Sequence, residues 1–69
     1  VAGSVSIRLN GEGRDVAERT VGDLVRALHR DPRTVAVEYN GDILPRGRYE
    51  ETSLADGDRL EIVHFVQGG

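Results

Sequence analysis

"ADGDRLEIVHFV", residues 55–66, reads as a tight turn followed by a strand, and the place of that strand in a sheet decides the fold. Gly57 is the residue expected at positive φ, because it has no Cβ to clash there. From Arg59 onward the apolar residues alternate: Leu60 and Ile62 fall on one face, Glu61, Val63 and Phe65 on the other. Such a period of two belongs to a strand with one face on a core.

The chain opens with a matching strand. In "SVSIRLNG", residues 4–11, Val5, Ile7 and Leu9 alternate against Ser4, Ser6 and Arg8. Asn10-Gly11 is a strong hairpin signal, "GEGR" suggests a slightly longer loop, and "DVAE" reads as the return strand, giving a hairpin over 4–18. "TVGDLVRALHRDP", residues 20–32, is the one expected helix: Thr20 suits the N-cap, with Asp23 as a weak capping-box partner. Val21, Leu24, Val25 and Leu28 form its apolar stripe, His29 and Arg30 suit its C-terminal end, and Asp31-Pro32 stops it. "TVAVEYNGDILPR", residues 34–46, is a second hairpin turning at Asn40-Gly41, with Ile43 and Leu44 on a short return strand. Residues 46–58 are polar and expected to be irregular, with Leu54 as their apolar anchor.

This order, β-β-α-β-β-loop-β, predicts an α+β domain in which one helix covers a mixed sheet of four or five strands. The first and last strands are the most apolar, which suggests central positions. If they are neighbours and parallel, the sheet is a β-grasp; periodicity alone leaves that pairing open. Leu60, Ile62, Ile7, Leu9, Leu24, Leu28 and Val37 are the expected core.

Composition narrows the function classes. Sixty-nine residues make one domain, and without Cys it must hold by packing and backbone pairing. A structural zinc would have only His29 and His64 as soft ligands, 35 positions apart. The absence of Cys suits a reducing compartment, and a cytoplasmic protein is expected. The net charge of −3 is spread along the chain, which argues against nucleic-acid binding. No apolar run approaches a membrane span and no signal peptide opens the chain, which starts at Val1, with "VAGS" read as partly extraneous. All nine basic residues are Arg. Codon bias in a GC-rich genome is the favoured reading of that; the functional alternative is that a reactive acyl group here would meet no lysine on its own surface. No catalytic triad order, P-loop or HExxH motif is present. "GEGR" is a hairpin turn, His64 receives no role, and Glu50-Glu51 and Asp56/Asp58 read as loop charges without partner geometry.

With "NGDILPR" at 40–46, "DGDRLEIV" at 56–63 and Gly68-Gly69 at the end, the chain resembles the ThiS family of ubiquitin-like sulfur carriers from about Ile7 to Gly69. Tyr49 stands where the family tends to have an aromatic after its Leu-Pro-Arg. The molybdopterin-type MoaD carriers resemble the fold too, but tend to have proline before their Gly-Gly, where this chain has Phe65-Val66-Gln67. The resemblance implies a β-grasp domain over 1–66 and a flexible tail over 67–69. It further implies that a ThiF-like E1 enzyme spends ATP to adenylate the carboxylate of Gly69. Sulfur, ultimately from a cysteine desulfurase or another source, then replaces AMP, and the thiocarboxylate serves the thiazole synthase ThiG. The chain itself would bind no cofactor and act as a protein co-substrate, not an enzyme. Gln67 departs from the Gly or Ala of many relatives. Relatives serving molybdopterin synthesis or transfer-RNA thiolation, and ubiquitin-like modifiers, share the fold and the Gly-Gly.

The residue types suit such chemistry. Two glycines make a thin end, and Phe65 to Gly69 reaches at most roughly 13–14 Å when extended. Val63 and Phe65, facing away from the helix, make an expected partner-docking patch, which Ala36 joins if its strand is adjacent.

Overall fold

The computed structural model describes residues 3–28 and 30–64. The pairing that the sequence leaves open is parallel: β1 (Val5–Leu9) lies beside β5 (Arg59–His64), with Arg8 opposite Arg59 and Leu9 opposite Leu60. The turn ahead of β5 extends that seam. Gly57 N–H donates to Ser6 O at 2.8 Å, Arg8 N–H to Asp58 O at 2.9 Å, and Ser6 N–H to the Asp56 carboxylate at 2.8 Å. On its other side β5 pairs antiparallel with β3 (Val35–Tyr39), from Val35↔His64 to Tyr39↔Leu60. β2 (Glu12–Val16) and β4 (Asp42–Leu44) complete a five-stranded sheet of order β2-β1-β5-β3-β4, a β-grasp with its last strand at the centre.

Both hairpins turn on Asn-Gly. Asn10 and Gly11 have φ of 51° and 84°, and Asn40 and Gly41 have 51° and 91°. Two consecutive left-handed residues match the twist of a two-residue hairpin. The first loop is therefore shorter than "GEGR" suggests, and the return strand starts at Glu12 instead of Asp15. Gly57 takes φ +88°, as its turn requires.

The helix α1 covers only Val21–Ala27, shorter than the stretch 20–32 expected to form it. Thr20 caps it, its hydroxyl oxygen accepting from Asp23 N–H at 3.1 Å; the Asp23 carboxylate binds Arg26. Leu28 closes the helix, and His29 lies outside the described residues. Asp31-Pro32 is not what stops the helix, which has already closed at Leu28: Asp31 instead caps a 3₁₀ turn over Pro32–Thr34, accepting from Arg33 N–H at 2.9 Å. Residues 46–58 are less irregular than expected. Arg46–Glu51 forms a second 3₁₀ segment, which buries Tyr49.

Between helix and sheet lie Ile7, Leu9, Val16, Val21, Leu24, Val25, Val35, Val37, Tyr49, Leu54 and Leu60. Of the expected core, Leu28 and Ile62 sit at its half-buried rim. Tyr49, only 2% exposed, takes the place of an aliphatic plug under the long connection, its hydroxyl donating to Val35 O at 3.3 Å.

One acidic residue departs from its reading as a loop charge. Asp58 is buried, and its carboxylate accepts from Tyr39 Oη at 2.7 Å, Ala55 N–H at 2.8 Å and Asn40 Nδ2 at 3.1 Å. Its neighbours also have partners: Asp56 holds Ser6, Glu50 is bidentate with Arg26, and Glu51 pairs with Arg48.

Candidate functional site

The face of the sheet turned away from α1 is sorted by alternation and register. β5 contributes Arg59, Glu61 and Val63; Glu38 and Ala36 stand opposite Glu61 and Val63 on β3; Ile43 stands opposite Glu38 on β4. Arg8 lies beside Arg59 on β1. Val63 and Ile43 are 59% and 71% exposed, the large apolar side chains that the described residues leave in solvent.

Register puts Ala36, half-buried, side by side with Val63 at the C-terminal end of β5. Phe65, the third residue assigned to this patch, lies outside the described residues, as do Gln67, Gly68, Gly69 and the boundary at 66/67. Sequence reasoning missed Ile43, taking it only as part of a return strand. The signal was present: a two-residue turn at Asn40-Gly41 fixes Tyr39↔Asp42, hence Glu38↔Ile43, so Ile43 must share the outward face of Glu38.

Charge divides the face along β5. Arg8 and Arg59 lie at the end where β5 begins, and with Asp15, which stands opposite Ser6 on β2, they line an open depression of about 530 Å³. Glu38 and Glu61 meet across β3 and β5 in the middle, a cross-strand arrangement that like-charge repulsion disfavours. Arg59 lines the same small depression as these two acids. Val63 and Ala36 lie at the far end, next to the residues that follow β5.

Beneath the face, Asp58 and Tyr39 hold the start of β5. Burial works to raise the Asp58 carboxyl, but the hydrogen bonds from Asn40, Tyr39 and Ala55 outweigh it and leave it below the usual carboxylate range. Burial and then the bond to Asp58 push the Tyr39 phenol up to about 12. Both groups are structural: every donor on Asp58 comes from the turn and strand around it. His64, at the exposed end of β5, is paired in the sheet with Val35. Among the described residues no group of three or more His, Cys, Asp or Glu is placed to hold a metal ion. None of the described helices is long and apolar enough to cross a membrane.

The arrangement is thus a folded body with an apolar patch at the end of its central strand, just ahead of a Gly-Gly. Known proteins share both body and sequence. The chain is 47% identical over 62 residues to a thiazole synthase of Paramagnetospirillum magneticum, covering 88% of this chain and 19% of that protein. A thiazole synthase of Magnetococcus marinus is 39% identical, with 20% of its length covered. The chain therefore spans about a fifth of the length of these relatives. A sulfur carrier protein ThiS of Bacillus subtilis is 40% identical over 67 residues, covering 91% of this chain and 98% of that one. In structure, the crystallised thiamine biosynthesis protein ThiS of Geobacter metallireducens aligns with a TM-score of 0.78 at 32% identity, over 94% of this chain and all of that one. The sequence pattern of the ThiS family matches residues 7–69, through both final glycines. Strand order, helix and sequence agree in one assignment: the chain belongs to the ThiS family.

Proposed function

We propose that this chain is a sulfur carrier for thiamine thiazole synthesis, a protein co-substrate without catalysis of its own. The observation that carries this reading is the family match over residues 7–69, which includes Gly68 and Gly69. A ThiF-like activating enzyme transfers AMP from ATP to the carboxylate of Gly69, releasing pyrophosphate. A sulfide-level nucleophile attacks the carbonyl carbon, the bond to AMP breaks, and Gly69 carries a thiocarboxylate. ATP belongs to the activating partner. A cysteine desulfurase, with a thiol that is oxidised to a disulfide as its persulfide sulfur is reduced to the sulfide level, or a direct sulfide source supplies the sulfur.

ThiG is the proposed acceptor. What supports it is that proteins named thiazole synthase contain a segment like this chain over about a fifth of their length. Val63, Phe65 and Ala36 form the proposed docking patch, Ile43 lies on the same outward face in the row of Glu38 and Glu61, and Gln67 and Gly68 carry the reacting end into the partner. The cytoplasm, with its reducing poise, is the compartment where such chemistry runs.

Incubation of the chain with a ThiF-like enzyme, ATP and a sulfide source tests this. Intact mass should rise by the difference between sulfur and oxygen, and removal of Gly69 should abolish the rise while leaving the fold unchanged. A truncated chain that still gains sulfur overturns the assignment of Gly69. Amide-linked adducts on lysines of other proteins would make the chain a modifier. Sulfur delivered to molybdopterin or transfer RNA and not to ThiG would move it to another pathway.

A further inference from the structure

Asn10 does more than turn a hairpin. Its backbone, at φ 51°, is the first residue of the turn, and Gly or Asn serves equally well there. Its carboxamide does something the turn does not require. Oδ1 accepts from Ile62 N–H at 2.7 Å, and Nδ2 donates to Ile62 O at 3.3 Å. Its own N–H donates to Leu60 O at 2.9 Å. β1 pairs with β5 only as far as Leu9↔Leu60. At Ile62 the neighbouring strand has already turned away, and the carboxamide stands in for its missing peptide group. β5 continues to His64, paired there with Val35 on the other side.

Asn40 does the equivalent at the opposite end and edge of β5. Its Oδ1 accepts from Arg59 N–H and its N–H donates to Arg59 O, both at 2.8 Å. The two Asn-Gly turns thus grip β5 at its entry and at its exit.

We propose that Asn10 is a positioning residue: its carboxamide fixes the Ile62 backbone, and so sets the direction in which the last residues of β5, as far as His64, present the chain to the activating enzyme. The proposal rests on the sulfur-carrier reading. Without the carboxamide, the exit of β5 is held by β3 alone and is free to hinge about that ladder. The docking patch is untouched, so binding persists, while fewer docked molecules present their end correctly. Asn is specified by the pair of bonds. Asp keeps the acceptor for Ile62 N–H but sets a carboxylate against Ile62 O, and Gly keeps the turn and loses both bonds.

The test compares N10G and N40G in the full chain. Amide exchange at Ile62 should accelerate about tenfold in N10G, the order expected for losing two exposed hydrogen bonds, with Leu24 as the internal reference. In ATP-dependent activation, kcat should fall about fivefold or more while KM stays within about twofold, because the interaction lost acts after docking. N40G should lower stability with kcat per folded molecule unchanged. Three results overturn the proposal: Ile62 exchange equal to the parent, kcat and KM both equal to the parent, or an equal loss of kcat in N40G. A parent chain that is never activated overturns the carrier reading, and with it the purpose given to Asn10. The exchange experiment still reports separately whether the carboxamide holds β5.

Discussion

Asp58 is the buried charge among the described residues, and it is surrounded by donors alone: one phenol, one carboxamide and one backbone N–H. A carboxylate accepts at both oxygens, whereas the amide of Asp58→Asn must set an N–H₂ against one of those donors. Asn40 cannot flip to accept it, because its Oδ1 holds Arg59 N–H. Asp58→Asn should therefore destabilise the domain by about 1–3 kcal/mol, the range for a buried donor left unpaired. The acid limb of stability gives a second check. The folded carboxyl lies below its usual range, so its contribution is present above pH about 4 and disappears as pH falls through the lower folded value. Urea unfolding from pH 6 to pH 2 should show a shallower acid loss in Asp58→Asn than in the parent, and equal slopes would show that Asp58 is not tuned by these bonds. None of this was readable from "DGD". The motif announces a turn, but the donors Tyr39 and Asn40 come from a hairpin 19 and 18 positions away.

The helix was legible because its signals are local. Thr20 as cap and the stripe of Val21, Leu24 and Val25 follow from neighbours within four positions. Leu24 is 2% exposed between helix and sheet, so Leu24→Ala should cost about 2–5 kcal/mol, checked by a denaturant midpoint. An unchanged midpoint would mean that the stripe does not carry the core. The helix end was misplaced for the same reason in reverse. Asp31-Pro32 permits either a stop or a capped 3₁₀ turn, and the choice depends on how Val35 must enter β3 to meet His64. The segment Arg46–Glu51 lacked any period to read. Its order comes from Tyr49 finding the core beneath it and from Glu50 reaching Arg26 across to α1. The Asn-Gly turns were legible as turns, whereas the second use of each Asn depends on β5, which local sequence does not place beside them.

The five-stranded order turns on one non-local fact, the parallel pairing of β1 with β5, which alternation allowed and did not require. Once it is in place, the outward face of β5 follows from counting by twos, and the proposed docking patch with it. If Val63 and Phe65 dock the body, Phe65→Ala should weaken binding to the activating enzyme by roughly thirty-fold or more, as for an aromatic at an interface centre. Stability should change by less than about 1 kcal/mol, as for surface substitutions. Calorimetric titration and a melting curve on the same sample decide it: a variant that melts early yet binds normally when folded would make Phe65 part of the core. The parallel pairing also fixes the polarity of the whole body. Val5 and His64 are separated by eight register steps along one direction, about 26 Å at 3.3 Å per step, so they lie at opposite poles of the sheet. An affinity tag, fluorophore or surface tether attached ahead of β1 is therefore held away from the pole where β5 finishes at His64, which makes the β1 pole the one to immobilise when docking at Val63 is to be watched on a single molecule.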